Sequence, residues 1–320
     1  MKGYRRVALI CLVSAVVLLT AHLTWSFAAT DTPPAFLPPA GESLEGKTPF
    51  RFAVVGDNRG NNTVFDEILA RIKQDGANLV IHTGDIVERC TERQYEWILH
   101  ELEEANLSVP FCAVPGNHDM TDAGTNPCLL YQRAFGPRRY WFSYGDTLFV
   151  GLGNYGKSCT EQDLDWLDSV LSRYRGSYKG CFVFTHVPPR DPRPGAGHAL
   201  PEVLGEHVME ILKKHDVTAL FAGHIHSYLE DEMDGIPIYI TGGAGAERDE
   251  PIGPHHYLLC TVQPGGKLDV RKVDVPDRVN TDYPEYAFRV KFPVGASLVG
   301  VALLLLAGIV LVKNAFLRAG

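Results

Sequence analysis

Residues 109–119 read VPFCAVPGNHD, a short apolar run that stops at Pro115 and is followed at once by Gly116, Asn117, His118 and Asp119. Valine, phenylalanine and cysteine bounded by proline and glycine predict a buried strand at 109–114. Four consecutive residues able to turn the chain, bind a cation or carry a proton directly behind such a strand point to a site at the end of a sheet, where α/β folds place their ligands.

The same grammar recurs on both sides. FRFAVV at 50–55 runs into Gly56 and Asp57, LVIHT at 79–83 into Gly84 and Asp85, CFVFT at 181–185 into His186, and TALFA at 218–222 into Gly223, His224, Ile225 and His226. A single Gly-Asp pair is a common turn, and a single strand-end histidine is commonly structural. Several at equivalent strand ends instead converge on one edge, and alternate residues of an extended chain bring His224 and His226 to one side. Aspartate, asparagine and histidine suit zinc, manganese or iron, and a two-metal centre needs such groups from separate loops. Asp57, Asp85, Asn117, His186, His224 and His226 are therefore candidate metal ligands, with His118 and Asp119 beside them.

Helical periodicity lies between these strands, at 63–73, 91–105, 129–135, 161–174 and 203–214. The fourth places Leu164, Leu167, Val170 and Leu171 on one face. Further strands are predicted at 140–144, 148–152 and 219–222, and hairpin-like ones at 228–232, 236–241, 257–262 and 268–273. Alternation of this kind predicts an α/β (α+β) domain over 50–275, with mixed sheets flanked by helices.

The flanks differ in character. Lys2, Arg5 and Arg6 precede an apolar run at 7–19, and small residues follow near Ala28, so 1–29 reads as a signal peptide or an N-terminal anchor. Residues 30–49 are proline-rich and read as a linker, as do 276–292. The 20 residues 293–312 carry no charge and are followed by Lys313 and Arg318, which reads as a transmembrane helix with its basic end in the cytoplasm. The expected placement is the cell membrane, with the lipid bilayer as partner of the C-terminal helix and the domain on the extracytoplasmic side. A net charge of −8 gives no nucleic-acid-binding signature, although a metal centre can still attract phosphate locally. Cys112, Cys181 and Cys260 sit in strand-like runs and read as free thiols, whereas an oxidising compartment permits a bridge among Cys90, Cys128 and Cys159, with Cys128–Cys159 the expected pair.

Taken in order, GD at 56–57, GD at 84–85, GNHD at 116–119, TH at 185–186 and GHIH at 223–226 resemble the calcineurin-like metallophosphoesterase superfamily, which includes the purple acid phosphatases. The resemblance implies a βαβ-based sandwich of two mixed β-sheets with flanking helices, the metallo-dependent phosphatase fold, holding two divalent or trivalent ions (manganese, iron or zinc). It implies that Asp85 bridges them, that Asp57 and His226 serve one, and that Asn117, His186 and His224 serve the other. His118 would donate a proton to the leaving group, with Asp119 orienting it, and the phosphate ester would be attacked directly by a metal-bridging hydroxide. The substrate class stays open. A catalytically impaired metal- or phosphate-binding surface protein and a hydrolase of lipid-linked phosphate or pyrophosphate are the alternatives.

Arg59 departs from the pattern, because many relatives carry a ligand histidine there and a guanidinium does not coordinate metals in the ordinary way. Glu88 reads either as a solvated loop residue or as a substitute ligand, and Arg59 itself could clamp a phosphate oxygen. His82 reads either as a support for the site or as a packed core residue. His198 lies in a Pro/Gly-rich loop beyond His186, Gly242 to Gly245 either approach the site by backbone or turn the chain, and His255 and His256 read as structural.

Overall fold

The computed structural model describes residues 41–60, 62–120, 129–155 and 159–276. Two sheets face one another. A five-stranded sheet runs in the order β12, β11, β2, β3, β4, built from β2 (Phe50–Val55), β3 (Leu79–His82), β4 (Phe111–Ala113), β11 (His255–Val262) and β12 (Leu268–Val275). A seven-stranded sheet runs in the order β1, β5, β6, β7, β8, β10, β9, from β1 (Ser43–Leu44), β5 (Arg139–Tyr144), β6 (Thr147–Leu152), β7 (Gly180–Thr185), β8 (Ala219–Ala222), β9 (Tyr228–Met233) and β10 (Ile236–Thr241). Both sheets are mixed: β2, β3 and β4 are parallel, as are β6, β7, β8 and β10, and β1 with β5, while β11 and β12 pair antiparallel with their neighbours, β5 with β6 and β9 with β10. This is the architecture that the alternating pattern predicts.

Side-chain alternation explains why the sheets stack. Phe50, Phe52 and Val54 of β2 point into a central layer with Phe142, Phe149, Phe182, Phe184 and Phe221, while Ala53 and Val55 point the other way. Phe52 meets Phe149 edge-on at 5.3 Å, and Phe142 stacks on Phe149 at 5.0 Å. Offset and edge-to-face rings of this kind add about 0.5–1.5 kcal/mol per pair to the burial of their area. Three helices, α1 (Asn62–Gln74), α2 (Glu92–Ala105) and α3 (Leu129–Phe135), cover the outer face of the five-stranded sheet; α4 (Glu161–Tyr174) and α5 (Glu202–Lys214) cover that of the other. Parallel strands buried on both faces read as continuous apolar runs, which is how β6 and β7 appear in the sequence.

Helix ends follow their sequence signals. The Thr91 hydroxyl accepts from the Gln94 amide at the start of α2, and Asn106 closes that helix in the left-handed conformation. Asp163 of α4 accepts from the Thr160 amide and is also shared by Arg138 and Arg139, so a buried carboxylate is offset by two guanidinium groups.

Three expectations meet the structure here. The linker reading of 30–49 is corrected at Ser43–Leu44, which pairs in parallel with Ser143 and Tyr144 and so belongs to the sheet. The expected Cys128–Cys159 bridge is corrected too: Cys159 is a free, buried thiol and Cys90 is the disulfide-bonded residue, while Cys128 lies outside the described residues. The leader at 1–29, the linker at 276–292 beyond residue 276 and the helix at 293–312 also lie outside them. Among the described residues no helix is long and apolar enough to cross a membrane.

Candidate metal centre

The site forms where both sheets end. Asp57 follows β2, Asp85 follows β3 and Asn117 to Asp119 follow β4 in one sheet; His186 follows β7, and His224 and His226 follow β8 in the other. Asp57, Asp85 and His224 each take positive φ, at 61°, 55° and 66°. Left-handed backbone at three non-glycine residues costs on the order of 1 kcal/mol or more each and clusters at functional sites. The glycines beside them leave room that no side chain could occupy. A Cβ on Gly116 would press on the Asp85 side chain and stand 2.8 Å from His186 Cε1, and one on Gly223 would stand 2.6 Å from Asp57 Oδ2.

Hydrogen bonds then tie one sheet's loops to the other's. The His224 amide donates to both oxygens of Asp57 at 3.1 and 3.2 Å. Within the first sheet, the His118 amide donates to Asp85 Oδ1 at 2.8 Å.

The donor set fits a cation. His186 Nδ1 donates to the Thr83 carbonyl at 3.0 Å, which leaves a lone pair on Nε2. That lone pair faces Asn117 Oδ1 at 3.1 Å, His224 Nδ1 at 3.2 Å and Asp85 Oδ1 at 3.4 Å. The Asn117 and Asp85 oxygens and the His186 lone pair are acceptors that repel in a buried place unless a proton or a metal ion lies among them, and fixing an imidazole through its other nitrogen is what metal-binding histidines require. Ligand atoms of Asp57, Asp85 and His186 lie within 4.8 Å of one another. His226 repeats the device: Nδ1 donates to the Glu247 carbonyl at 2.7 Å, and Nε2 stands 3.5 Å from Asp57 Oδ1. The structure thus brings Asn117, His186 and His224 together, Asp57 and His226 together, and Asp85 between the groups.

The electrostatics match. Burial pushes the Asp57 carboxyl above its ordinary range; Asp85, although burial opposes its charge, is held below that range by His186 and His118. Burial drives His224 down to about 3, so its imidazole is neutral and free to coordinate.

Around this set the sequence reading needs correcting. Asp119 does not orient His118. Its carboxylate accepts from the amides of Ile86 and Val87 at 2.9 and 3.0 Å and from Gly116 at 2.8 Å, locking the loops after β3 and β4 together. The His118 ring is held instead by the Glu88 carbonyl, which accepts from Nδ1 at 2.8 Å, and Nε2 is left 3.9 Å from Asp85 Oδ2. Glu88 is not a spare ligand either, because its carboxylate takes both arms of the Arg59 fork at 2.9 and 3.0 Å. Arg59 Nη2 also approaches His118 Nδ1 at 3.3 Å, which puts its charge beside the expected proton donor.

Other supports emerge only in three dimensions. Asn154 accepts from the amides of His186 and Val187 at 3.0 and 2.7 Å and so aims the histidine; a lone asparagine after β6 gives no signal in sequence. His82 is both buried and supporting: Nδ1 accepts from the Gly84 amide and Nε2 donates to Asn58 Oδ1, each at 3.1 Å. The glycine-rich segment after β10 approaches by backbone, with the Ala244 and Ala246 amides donating to the carbonyls of Gly56 and Asp57. His198 brings its ring centre to 5.7 Å from that of His224. A cavity of about 740 Å³ opens beside His118, lined also by Glu88, Arg89, Thr91, Asn117 and Met120.

Comparison with known proteins agrees with this geometry. A protein of Fibrobacter succinogenes named "Probable cyclic nucleotide phosphodiesterase" is 22% identical over 184 residues, covering 55% of this chain and 68% of its own length. A "Probable glycerophosphodiester phosphodiesterase" of Arcobacter nitrofigilis is 29% identical over 168 residues, covering 47% and 56%. The solved purple acid phosphatase of yellow lupin superposes with a TM-score of 0.61 at 17% identity, over 71% of this chain and 52% of that one, a likeness of fold. The calcineurin-like phosphoesterase description matches residues 50–228, more than half of the 320-residue chain. A chain with that match and with this cluster at its sheet ends belongs to the calcineurin-like phosphoesterase family, hydrolases that act on phosphoric ester bonds.

Proposed function

We propose that this chain is a metal-dependent phosphodiesterase whose centre is held by Asp57, Asp85, Asn117, His186, His224 and His226. The observation that carries the reading is the lone pair of His186 Nε2 facing the oxygens of Asn117 and Asp85, with a ring nitrogen of His224 beside it, an arrangement that a cation resolves. When bound, two metal ions supply the positive charge and the activation of water that phosphoryl transfer needs.

The chain's own residues supply the rest. Asp85, between the two ligand groups, is placed to serve both. His118, tethered through Nδ1 to the Glu88 carbonyl, presents Nε2 toward the ligand set and, when protonated, gives its proton to the departing alkoxide. Water oxygen joins phosphorus and releases one proton to solvent, the bond to the leaving oxygen breaks, and that oxygen takes the proton from His118; no side-chain nucleophile is needed. Arg59, held by Glu88, adds fixed positive charge for a phosphoryl oxygen. A diester is favoured over a monoester by the names of the two relatives. The proposal includes a bilayer anchor at 293–312 and an extracytoplasmic active site, which protease protection of intact cells or vesicles tests.

The catalytic reading is tested with purified protein, manganese, zinc or iron, and bis-p-nitrophenyl phosphate. Asn117→Ala and His118→Ala should each lower kcat/KM by about a hundredfold or more, since general acid catalysis alone contributes typically 10²–10⁴. Survival of both variants would sink the assignment, and no turnover by wild-type protein with metal bound would favour a binding protein instead.

A further inference from the structure

His226 is held by a loop other than its own. Its Nδ1 donates to the Glu247 carbonyl at 2.7 Å and its amide donates to Asp249 Oδ2 at 3.3 Å, while the Asp249 amide donates back to the His226 carbonyl at 3.0 Å. The direction from which Nε2 meets Asp57 therefore depends on where residues 247–250, in the connection between β10 and β11, are placed. Such irregular chain keeps one shape only where something grips it.

The grip comes from a third loop, between β7 and α5. There Asp191, its side chain 2% exposed, accepts from Arg193 Nε and Nη2 at 3.0 and 2.9 Å, from the Arg193 amide at 3.0 Å and from the His198 amide at 3.2 Å. A carboxylate that takes two donors of a planar guanidinium fixes the direction of the third. That third donor, Nη1, bonds the Glu250 carbonyl at 2.9 Å and stands 3.8 Å from the same Asp249 oxygen that receives the His226 amide. The Arg193 side chain is only 16% exposed, so salt screens these contacts less than it screens a surface pair.

We propose that Asp191 and Arg193 are a positioning pair for the metal centre, clamping residues 247–250 and through Glu247 and Asp249 aiming His226 at the ion it shares with Asp57. The inference rests on the ligand set of the phosphodiesterase reading above. Neither residue is a ligand, and the effect travels through backbone. Without the clamp the Glu247 carbonyl no longer fixes the tautomer and direction of the imidazole, and loss of such outer support typically costs 10–100-fold in metal affinity. The demand on His226 is high at this end of the centre, because Arg59, in the loop after β2, offers no lone pair and is bound to Glu88.

Isothermal titration of metal-free protein with manganese tests the clamp without any turnover. Wild-type protein should take up two equivalents, and His226→Ala marks the one that depends on this histidine. Arg193→Ala should weaken that same equivalent at least tenfold and leave the other within twofold. Asp191→Asn, which keeps the side-chain shape but gives up the charge that orients the fork, should act in the same sense and serves if Arg193→Ala does not fold. Arg190→Ala removes a neighbouring pair of the same loop, with Asp231, and should change neither equivalent. Unchanged affinities in Arg193→Ala and Asp191→Asn, equal weakening of both equivalents, or the same loss in Arg190→Ala overturns the clamp. Failure of wild-type protein to bind two ions overturns instead the two-ion reading of the ligand set, and the clamp with it.

Discussion

Acidification should unfold this protein through His82. The imidazole is fully buried between the rings of Phe65 and Phe111, at 6.0 and 5.7 Å, and uses both nitrogens, Nε2 toward Asn58 and Nδ1 toward the Gly84 amide. Protonation would place a charge in an apolar layer and turn the Gly84 amide's acceptor into a second donor. Burial, then repulsion from His186, accordingly pushes its pKa down to about 3 from an ordinary 6.5. Between these values the unfolded chain binds a proton that the folded chain refuses. The contribution is therefore intact above about pH 6.5 and is lost as pH falls toward about 3, at up to about 1.4 kcal/mol per pH unit. The ceiling is on the order of 5 kcal/mol, comparable with the whole stability of many domains. Urea unfolding of the metal-free protein at pH 7, 6, 5 and 4 measures it against His82→Asn, which keeps an acceptor for the Gly84 amide. At pH 7 the variant should be less stable by about 1–3 kcal/mol, the cost of the lost hydrogen bond and packing. That gap should close, then reverse, with acid. Parallel curves from pH 7 to 4 would refute the reasoning, because other groups, Asp57 among them, titrate in both proteins and cancel.

Gly116→Ala should keep the fold but weaken metal binding by at least tenfold, read by isothermal titration with manganese or zinc, because the added methyl displaces Asp85 and His186. Binding at wild-type affinity would show that the two loops yield more easily than their spacing suggests. Arg59→Ala should cost less than about 1 kcal/mol in thermal unfolding, since its pair with the partly exposed Glu88 is screened. Its KM for the ester should nevertheless rise about tenfold, and an unchanged KM would reduce Arg59 to a structural role. Phe149→Ala should lower stability by about 3–5 kcal/mol in chemical unfolding, as the ring stacks on Phe142 and meets Phe52 at the centre of the sandwich. A loss under 1 kcal/mol would mean that the two sheets can close over the gap.

Much of the site was legible because its grammar is local. An apolar run followed by Gly-Asp, Gly-Asn-His-Asp or Gly-His-x-His states in a few residues both the strand and what stands at its end, and the structure brings Asp57, Asp85, Asn117, His186, His224 and His226 together. The partners of those residues were not legible. Arg59 and Glu88 lie 29 positions apart, and only the approach of two loops reveals that each satisfies the other. Asp119 sits next to His118 in sequence, yet its carboxylate faces backbone amides. Asn154 carries no pattern at all. Ser43–Leu44 escaped because a two-residue strand amid prolines has too little periodicity to be seen, and its pairing depends wholly on β5.

The candidate ligands are divided between the sheets, Asp57, Asp85 and Asn117 on one and His186, His224 and His226 on the other. An ion bound among them is therefore a rivet through the sandwich as much as a reagent. Whatever free energy it gains from binding only the assembled sheets is added to the work of separating them, so resistance to unfolding becomes a gauge of how full the centre is. Metal supply then sets how long the molecule endures as well as what it can do.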